Sequence, residues 1–498
     1  MEIIDLKGAL LAPGFVDSHV HLTESGIALG SLELDRVRSA AELLEAVAAW
    51  DGTGTVLGHG WDESHWPDGR LPSREELERA SGGRPVYLAR VDAHSALVSS
   101  SLAAAAKLSS LPLNPPETGS DSHVKRDDHT AARLVARQFP AEQIREFQRK
   151  ALFEAAANGY VAMAEMSAPH IGNVLDLQLA AGWNESGSGQ AFPEVLAYRG
   201  ELATSEEDAQ AILDGLGVSI RGLAGDLNID GSIGSRTAAL RADYSDAPGE
   251  RGTKYLSMDQ AAAHLSACSL LGIQAGFHVI GDAGLDAVLE AFDQAAAEVG
   301  DQRIRAAGHR LEHVEMADHD AIERLARHSV TVSAQPVFDA AWGAEGRLYQ
   351  KRLGSRRLAM NPFASLFAAG VPVCFGSDSP VTPLRPWESV RACLQHSNPE
   401  QRISARAAFI GHTRAGWRAA KYTNPMAGQL VPGAPASFAV WEVEELMVQV
   451  ADGRVQSWST DPRARTPLLP ALDTGVSPVC LQTVRDGREL YSHDSLRG

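Results

Sequence analysis

Cysteine is scarce in this chain: four residues, Cys268, Cys374, Cys393 and Cys480, stand far apart with no C-x-x-C pair. That spacing argues against a disulfide framework and fits reduced, structural thiols in a cytoplasmic protein. No apolar run approaches the ~20 residues that a membrane-spanning helix needs. The opening Met-Glu-Ile-Ile-Asp-Leu-Lys has no basic region followed by an apolar one, so no signal peptide is expected. Basic residues are outnumbered, 45 Lys and Arg against 63 Asp and Glu, for a formal charge of −18. A nucleic-acid binder would need a concentrated basic face, which is missing here. Internal repeats and low-complexity tracts are also absent.

What is there is an ordinary soluble composition, 44% apolar and 22% charged over 498 residues. It suffices for one large domain with additions or for two to three ordinary domains. Strand-like runs alternate with helical patterns, the sign of an α/β protein with parallel strands. Eight runs qualify: Phe15–His21, Tyr160–Met166, Glu194–Arg199, Gly225–Asp230, Ile273–Val279, Ala307–Val314, Val330–Gln335 and Val371–Ser377. Helical segments lie between them, among them Glu142–Asn158, Met258–Leu271, Ala283–Glu298 and Asp318–Arg327. Eight such units predict a TIM (β/α)8 barrel with its chemistry at the carboxyl ends of the strands.

Two parts do not fit a plain barrel. Residues 51–140 form a connection too long for a loop, with strand-like runs at Thr55–Gly58 and Pro85–Arg90. They read as an inserted subdomain after strand one, with exposed turns at Leu111–Pro116 and Ser120–Ser122. From residue 425 to 498 the pattern changes to short strands at Gly428–Pro435, Ser437–Trp441, Met447–Val450 and Val479–Arg485. With residues 1–13 this reads as a small flanking β-sandwich, leaving 14–50 and 141–424 for the barrel.

Chemistry-bearing residues gather at the ends of the barrel strands. His19 and His21 are two apart on a strand and so share a face. Strand five closes on His278, strand six on His313 and strand eight on Asp378. Taken singly, each is better explained as a buried histidine or a turn aspartate. Together they make a nitrogen-rich pocket with one carboxylate, suited to Zn²⁺, with Fe, Mn or Ni as alternatives. Trp61, Asp62, Asp92, His94, Ser232, Arg236, Gln335 and Trp342 are candidates for lining a substrate pocket, Arg236 as a carboxylate clamp. His65, His123 and His129 fall in turn-rich parts of the insert and read as solvated surface.

Longer motifs carry a family resemblance. Pro13-Gly14-Phe15-Val16-Asp17-Ser18-His19-Val20-His21, Gly60-Trp61-Asp62, Arg90-Val91-Asp92-Ala93-His94, Asp230-Gly231-Ser232-Ile233-Gly234-Ser235-Arg236-Thr237-Ala238 and Gly428-Gln429-Leu430-Val431-Pro432-Gly433-Ala434-Pro435-Ala436 span nearly the whole chain. They resemble the amidohydrolase superfamily, in particular its family 3 branch, typified by N-substituted formamide deformylase. The resemblance implies a barrel flanked by a β-sandwich, and it carries the ligand role onto His19, His21, His278, His313 and Asp378. It also implies metal-activated water as nucleophile, with Asp378 as general acid/base and His313 polarising the substrate carbonyl or holding a second ion. The implied activity is hydrolysis of an amide or formamide-like C–N bond in a small organic substrate. The alternatives are a heterocycle deaminase on the same site and a catalytically idle barrel that binds a metal or metabolite. Expected partners are a small-molecule substrate and a second copy of the chain in a homodimer, with no nucleic acid and no membrane.

Two departures from the branch pattern stand out. Binuclear members carry a bridging lysine four residues before the fourth-strand Asp-Gly, where this chain has Asp226. Aspartate is shorter, so one tightly bound ion is expected rather than two: Asp226 either binds an ion directly or orients a histidine from behind, and Glu165 at the second strand end is the alternative carboxylate ligand. The chain also starts some way inside the branch pattern, so the sandwich is expected to lack its N-terminal half.

Overall fold

The structure is a computed structural model that describes residues 5–108, 120–184, 190–446, 468–473 and 475–496. The turn expected at Leu111–Pro116 and the strand expected at Met447–Val450 lie outside the described residues.

Parallel strands form two sheets. One has three strands, Phe15–Val20, Tyr160–Ser167 and Glu194–Arg199. The other has five, Gly222–Leu223, Gln274–Val279, Arg310–His313, Thr331–Ala334 and Val373–Phe375. Backbone hydrogen bonds stitch the sheets together on both sides. Arg221 N–H donates to the Ala197 carbonyl at 2.8 Å on one side. On the other, Asp378 N–H donates to His19 O at 2.8 Å and His21 N–H to Ser379 O at 3.0 Å. The strands are buried on both faces, which is why they read as continuous apolar runs rather than as alternation.

The helices follow the sequence closely. Ala141–Ala157, Met258–Leu271, Asp282–Val299 and His319–His328 each match their expected limits to within one residue. Met258–Leu271 shows why: Ser257 and Gln260 form a reciprocal capping box at its start, and Gly272 takes the left-handed conformation at its end.

The fourth strand differs. Gly225–Asp230 was expected; the strand is Gly222–Leu223, and the chain then swings inward, touching strand five again only through the Asn228–His278 bridge. Gly225 sits at φ +94°, and a Cβ there would lie 2.8 Å from the Met166 sulfur. Only glycine allows that departure.

The insert is a five-stranded sheet of Leu32–Glu33, Val56–Trp61, Val86–Arg90, Ser95–Val98 and His123–Lys125. Its first strand and the helix Ala40–Ala49 precede residue 51, so the expected boundary falls too late. Leu34, Leu43 and Val47 belong to the insert's own core with Trp61, Trp66 and Leu88. The flanking module is an antiparallel sheet in the order Leu10–Pro13, Phe438–Glu442, Val479–Arg485, Arg488–Ser492. Gly428–Pro435 is turn rather than strand: Gly428 and Gly433 have positive φ, and Pro432 and Pro435 lack the N–H a ladder needs. Among the described residues no helix is long and apolar enough to cross a membrane.

Candidate metal centre

Six side chains from these strand ends converge. His19 Nε2 lies 3.6 Å from Asp226 Oδ1 and 3.4 Å from Asp378 Oδ1. His21 Nε2 is 3.3 Å from Asp226 Oδ2 and 3.3 Å from Asp378 Oδ1, and His278 Nδ1 is 3.8 Å from Asp226 Oδ1. His313 completes the set, its ring centroid 4.4 Å from that of His278 and 5.2 Å from that of His19. Three overlapping triads of potential ligand atoms result: His19–His21–Asp226, His19–His313–Asp378 and Asp226–His278–His313.

Local chemistry explains how these residues get there. Asp17 Oδ1 accepts from the N–H groups of His19 and Ser377, pinning strand one to strand eight. Gly376 packs so closely that a Cβ would lie 2.5 Å from His19 N. His313 and Asp378 take left-handed backbone, with φ of 70° and 55°, where their strands end. Such backbone is costly outside glycine and is often found at functional sites.

The donor set fits a cation. His19 Nε2, His21 Nδ1 and Asp226 Oδ1 are buried with no hydrogen-bond partner among the described residues. Ligands held 2.0–2.1 Å from a tetrahedral ion stand about 3.3–3.4 Å apart. The spacings of Asp226 and Asp378 to the two Nε2 atoms, 3.3–3.6 Å, are close to that. The electrostatics agree: burial alone would push the His21 imidazole down, yet the Asp226 and Asp378 carboxylates hold it at about 10. Burial would likewise raise Asp226, but His19, His21 and His278 keep it well below the usual carboxylate range. Positive charge is favoured at this point.

Two histidines have their orientation fixed from behind. His19 Nδ1–H donates to Glu312 Oε2 at 2.8 Å, and Gln335 Oε1 accepts from His313 Nδ1–H at 2.8 Å. Each Nε2 is then left with its lone pair facing the cluster. Burial and the neighbouring His278 keep His313 neutral, well below its ordinary value. A neutral ring with Nδ1 protonated has no proton on Nε2 to offer a carbonyl. Of the two roles expected for His313, this arrangement fits holding an ion better than polarising a carbonyl.

The cluster forms the floor of a cavity of about 850 Å³, roofed by the insert. Of the residues expected to line it, Asp92 and His94 do, and the His94 ring is 5.0 Å from that of His278. Trp61 does not; it is buried in the insert core and donates from Nε1 to Leu88 O. Asp62 turns away to cap the short helix Glu63–His65 and pair with Arg90. Ser232 donates to Asp92 at 2.7 Å, Arg236 pairs with Asp246, and the Trp342 ring packs at a tilt against Phe338. Gln335 acts through His313 rather than on the cavity. Glu165 is also outside the cluster: it accepts from Leu22 N–H at the start of the helix Leu22–Ala28.

Of the two placements expected for Asp226, the structure has it among the potential ligand atoms rather than behind them. The inward swing after Gly225 supplies the reach that the short side chain lacks. The insert histidines are not all surface residues either. His129 is buried, lines the cavity and hydrogen-bonds the Tyr87 hydroxyl at 2.8 Å. His123 packs on Trp61, and His65 is half-buried beside Asp62. The sequence reading passed over Glu312, Asp17 and the cavity-lining His170 altogether. For Glu312 a signal existed, since Arg310 and Glu312 are two apart on one strand and share a face.

Comparison with known proteins places this geometry. The chain matches the amidohydrolase family over residues 2–491. It belongs to that family. LONG AFTER FAR-RED 3 of Arabidopsis thaliana is 27% identical over 476 residues, spanning 88% of this chain and 78% of its own. N-substituted formamide deformylase of Arthrobacter pascens is 22% identical over 494 residues, spanning 90% and 88%. An uncharacterised metal-dependent hydrolase from Pyrococcus furiosus superposes with a TM-score of 0.67 at 26% identity, covering 88% of both chains.

Proposed function

We propose that this amidohydrolase is a metal-dependent hydrolase cleaving a C–N bond, amide or formamide-like, in a small organic substrate. The same reading makes the two parallel sheets one (β/α)8 barrel, with the site at the carboxyl ends of its strands. The observation that carries it is the convergence of His19, His21, Asp226, His278, His313 and Asp378, all but the fully buried His19 lying on the floor of one cavity. Family membership supports metal-dependent hydrolysis, and the likeness to N-substituted formamide deformylase supports the C–N bond.

His19, His21, Asp226 and Asp378 would hold the ion, with His278 and His313 beside them; a mixed nitrogen and oxygen set of this kind suits Zn²⁺. When bound, such an ion supplies Lewis acidity that polarises a carbonyl and makes water a better nucleophile. Asp378 takes the proton of the attacking water and delivers it to the leaving nitrogen. Its carboxylate is placed for this, within 3.4 Å of both Nε2 atoms and on the cavity wall. Gln335 and Glu312 keep the His313 and His19 rings in the right tautomer. Tyr87 and His129 of the insert line the same cavity above the cluster.

The test is a panel of formamides, acetamides and heterocyclic amidines with the metal-loaded protein. Release of amine with acid is expected. Ammonia from the heterocycles would mean deamination, and bound metal with no turnover would mean an idle barrel.

A further inference from the structure

Arg133 is the odd charge in this cavity. It comes from the insert helix Arg126–Ala136, is only 8% exposed, and lines the same cavity as the metal cluster. Its Nη2 donates to Ala93 O at 3.1 Å, and its Nε donates weakly to the Tyr87 hydroxyl at 3.4 Å. Both partners are neutral. Other buried arginines nearby are matched by acids: Arg90 by Asp62, Glu63 and Asp92, and Arg137 by Glu24. Arg133 makes no ion pair among the described residues.

Its surroundings deepen the imbalance. His129, His94 and His170 share the wall with it, and burial together with the Arg133 charge holds His170 down at about 3. A buried cation with no anion is expensive to keep, and a fold tolerates it when a ligand supplies the missing charge. The position suits a ligand that also reaches the metal cluster. Arg133 bonds the carbonyl of Ala93, the next residue is His94, and the His94 ring is 5.0 Å from His278.

We propose that Arg133 is a substrate-binding residue and that the cavity takes amides bearing a carboxylate, the guanidinium holding that group while the scissile bond lies over the cluster. Arg126 also lines the cavity but is exposed to solvent, so among the described residues of its wall the one buried cation without an acid is Arg133, and one charge is balanced by a carboxylate rather than by a doubly charged phosphate. The planar guanidinium fork matches a carboxylate with two parallel hydrogen bonds. Neutral imidazoles beside it, His129 and His170, can donate further N–H bonds without adding charge. The inference rests on the reading of this cavity as the active site.

The test uses matched pairs: N-formyl and N-acetyl derivatives of glycine, leucine and phenylalanine, each against its carboxamide. Binding to the full-length, metal-loaded protein is measured by calorimetry and turnover as kcat/KM. The carboxylate member of a pair is expected to win, and Arg133→Gln to cut that preference by about ten- to a hundredfold, the worth of a charge-assisted hydrogen bond. Arg133→Lys, which keeps the charge but not the fork, retains part of it, and reads the same ratio should Arg133→Gln fail to fold. Without ligand, Arg133→Met is expected to melt at or above the wild-type temperature, because it removes an unmatched buried charge. No carboxylate preference in the wild type, a preference that survives Arg133→Gln, or a lower Tm for Arg133→Met would each overturn the proposal. Carboxylate binding that needs Arg133 but leads to no hydrolysis would instead sink the C–N reading and leave this one standing.

Discussion

Glu312 accepts a 2.8 Å hydrogen bond from His19 Nδ1, and Arg310 grips the same carboxylate at 2.6 and 3.1 Å. The chain Arg310–Glu312–His19 fixes the tautomer of a metal-facing histidine from entirely buried positions. Glu312→Gln is expected to weaken metal binding by about 10–100-fold, read by chelator competition. It also strips buried Arg310 of its anion, so stability falls by about 3 kcal/mol or more. Adding Arg310→Met should restore the stability and leave the metal affinity low. Recovery of both together would mean that Glu312 acts on the fold alone.

Asp378 and His19 should fail in different ways. Asparagine tolerates the left-handed backbone at position 378, where φ is 55°, so Asp378→Asn should fold normally. Its kcat is expected to drop by about a hundredfold or more, with most of the metal retained. His19→Ala should lose both activity and metal. Near-normal turnover in either variant would refute the site.

Much of this site was visible in the sequence because strands impose a period of two and end where their chemistry begins. His19 and His21, the strand-end His278 and His313, and Asp378 could all be found that way. For Asp226, side-chain length alone does not decide between binding an ion and orienting a histidine. Its position depends on the backbone swing at Gly225, which no local pattern announces. Trp61 and Trp342 were plausible pocket walls, but an aromatic ring looks the same in sequence whether it faces a ligand or a neighbouring ring. Arg133 lay within the insert and carried no motif, since its meaning comes from the anion that is not beside it.

The position of Asp226 also governs metal count. It belongs to two of the three ligand triads. The spacings around His19, His21 and Asp378 suit one ion, so one equivalent should survive dialysis, with a second taken up only in excess metal. Elemental analysis showing two firmly retained equivalents would contradict this. Asp226→Ala should abolish even the first.

Acid should unfold this protein through histidines remote from the site. Burial holds His412 at about 3, His309 at about 3 and His264 at about 4, against an ordinary value of 6.5. The unfolded chain therefore binds more protons than the folded one as pH falls below 6.5. Stability is full above that value and declines down to the folded values, each histidine contributing up to about 1.4 kcal/mol per pH unit. Urea midpoints measured from pH 7 to pH 5 should fall steadily. His412, packed between Phe15 and Phe375, offers the control: His412→Phe should make the decline shallower, and an unchanged slope would discount its role.

All four cysteines are free and buried. Denatured protein should react with four equivalents of a thiol reagent without prior reduction. A smaller number would reveal a disulfide and count against the cytoplasmic expectation.

The cluster and the roof above it are built from separate cores. The six convergent side chains come from the ends of the parallel strands and the segments just after them, whereas Tyr87 hangs from the insert sheet and His129 and Arg133 from the insert helix Arg126–Ala136, which pack in cores of their own. Bond breaking and substrate choice are thus encoded in different stretches of chain, and selection can act on them separately. Randomising the insert wall is a route to new substrates that leaves the reactive floor undisturbed, as an exchangeable die works under a fixed press.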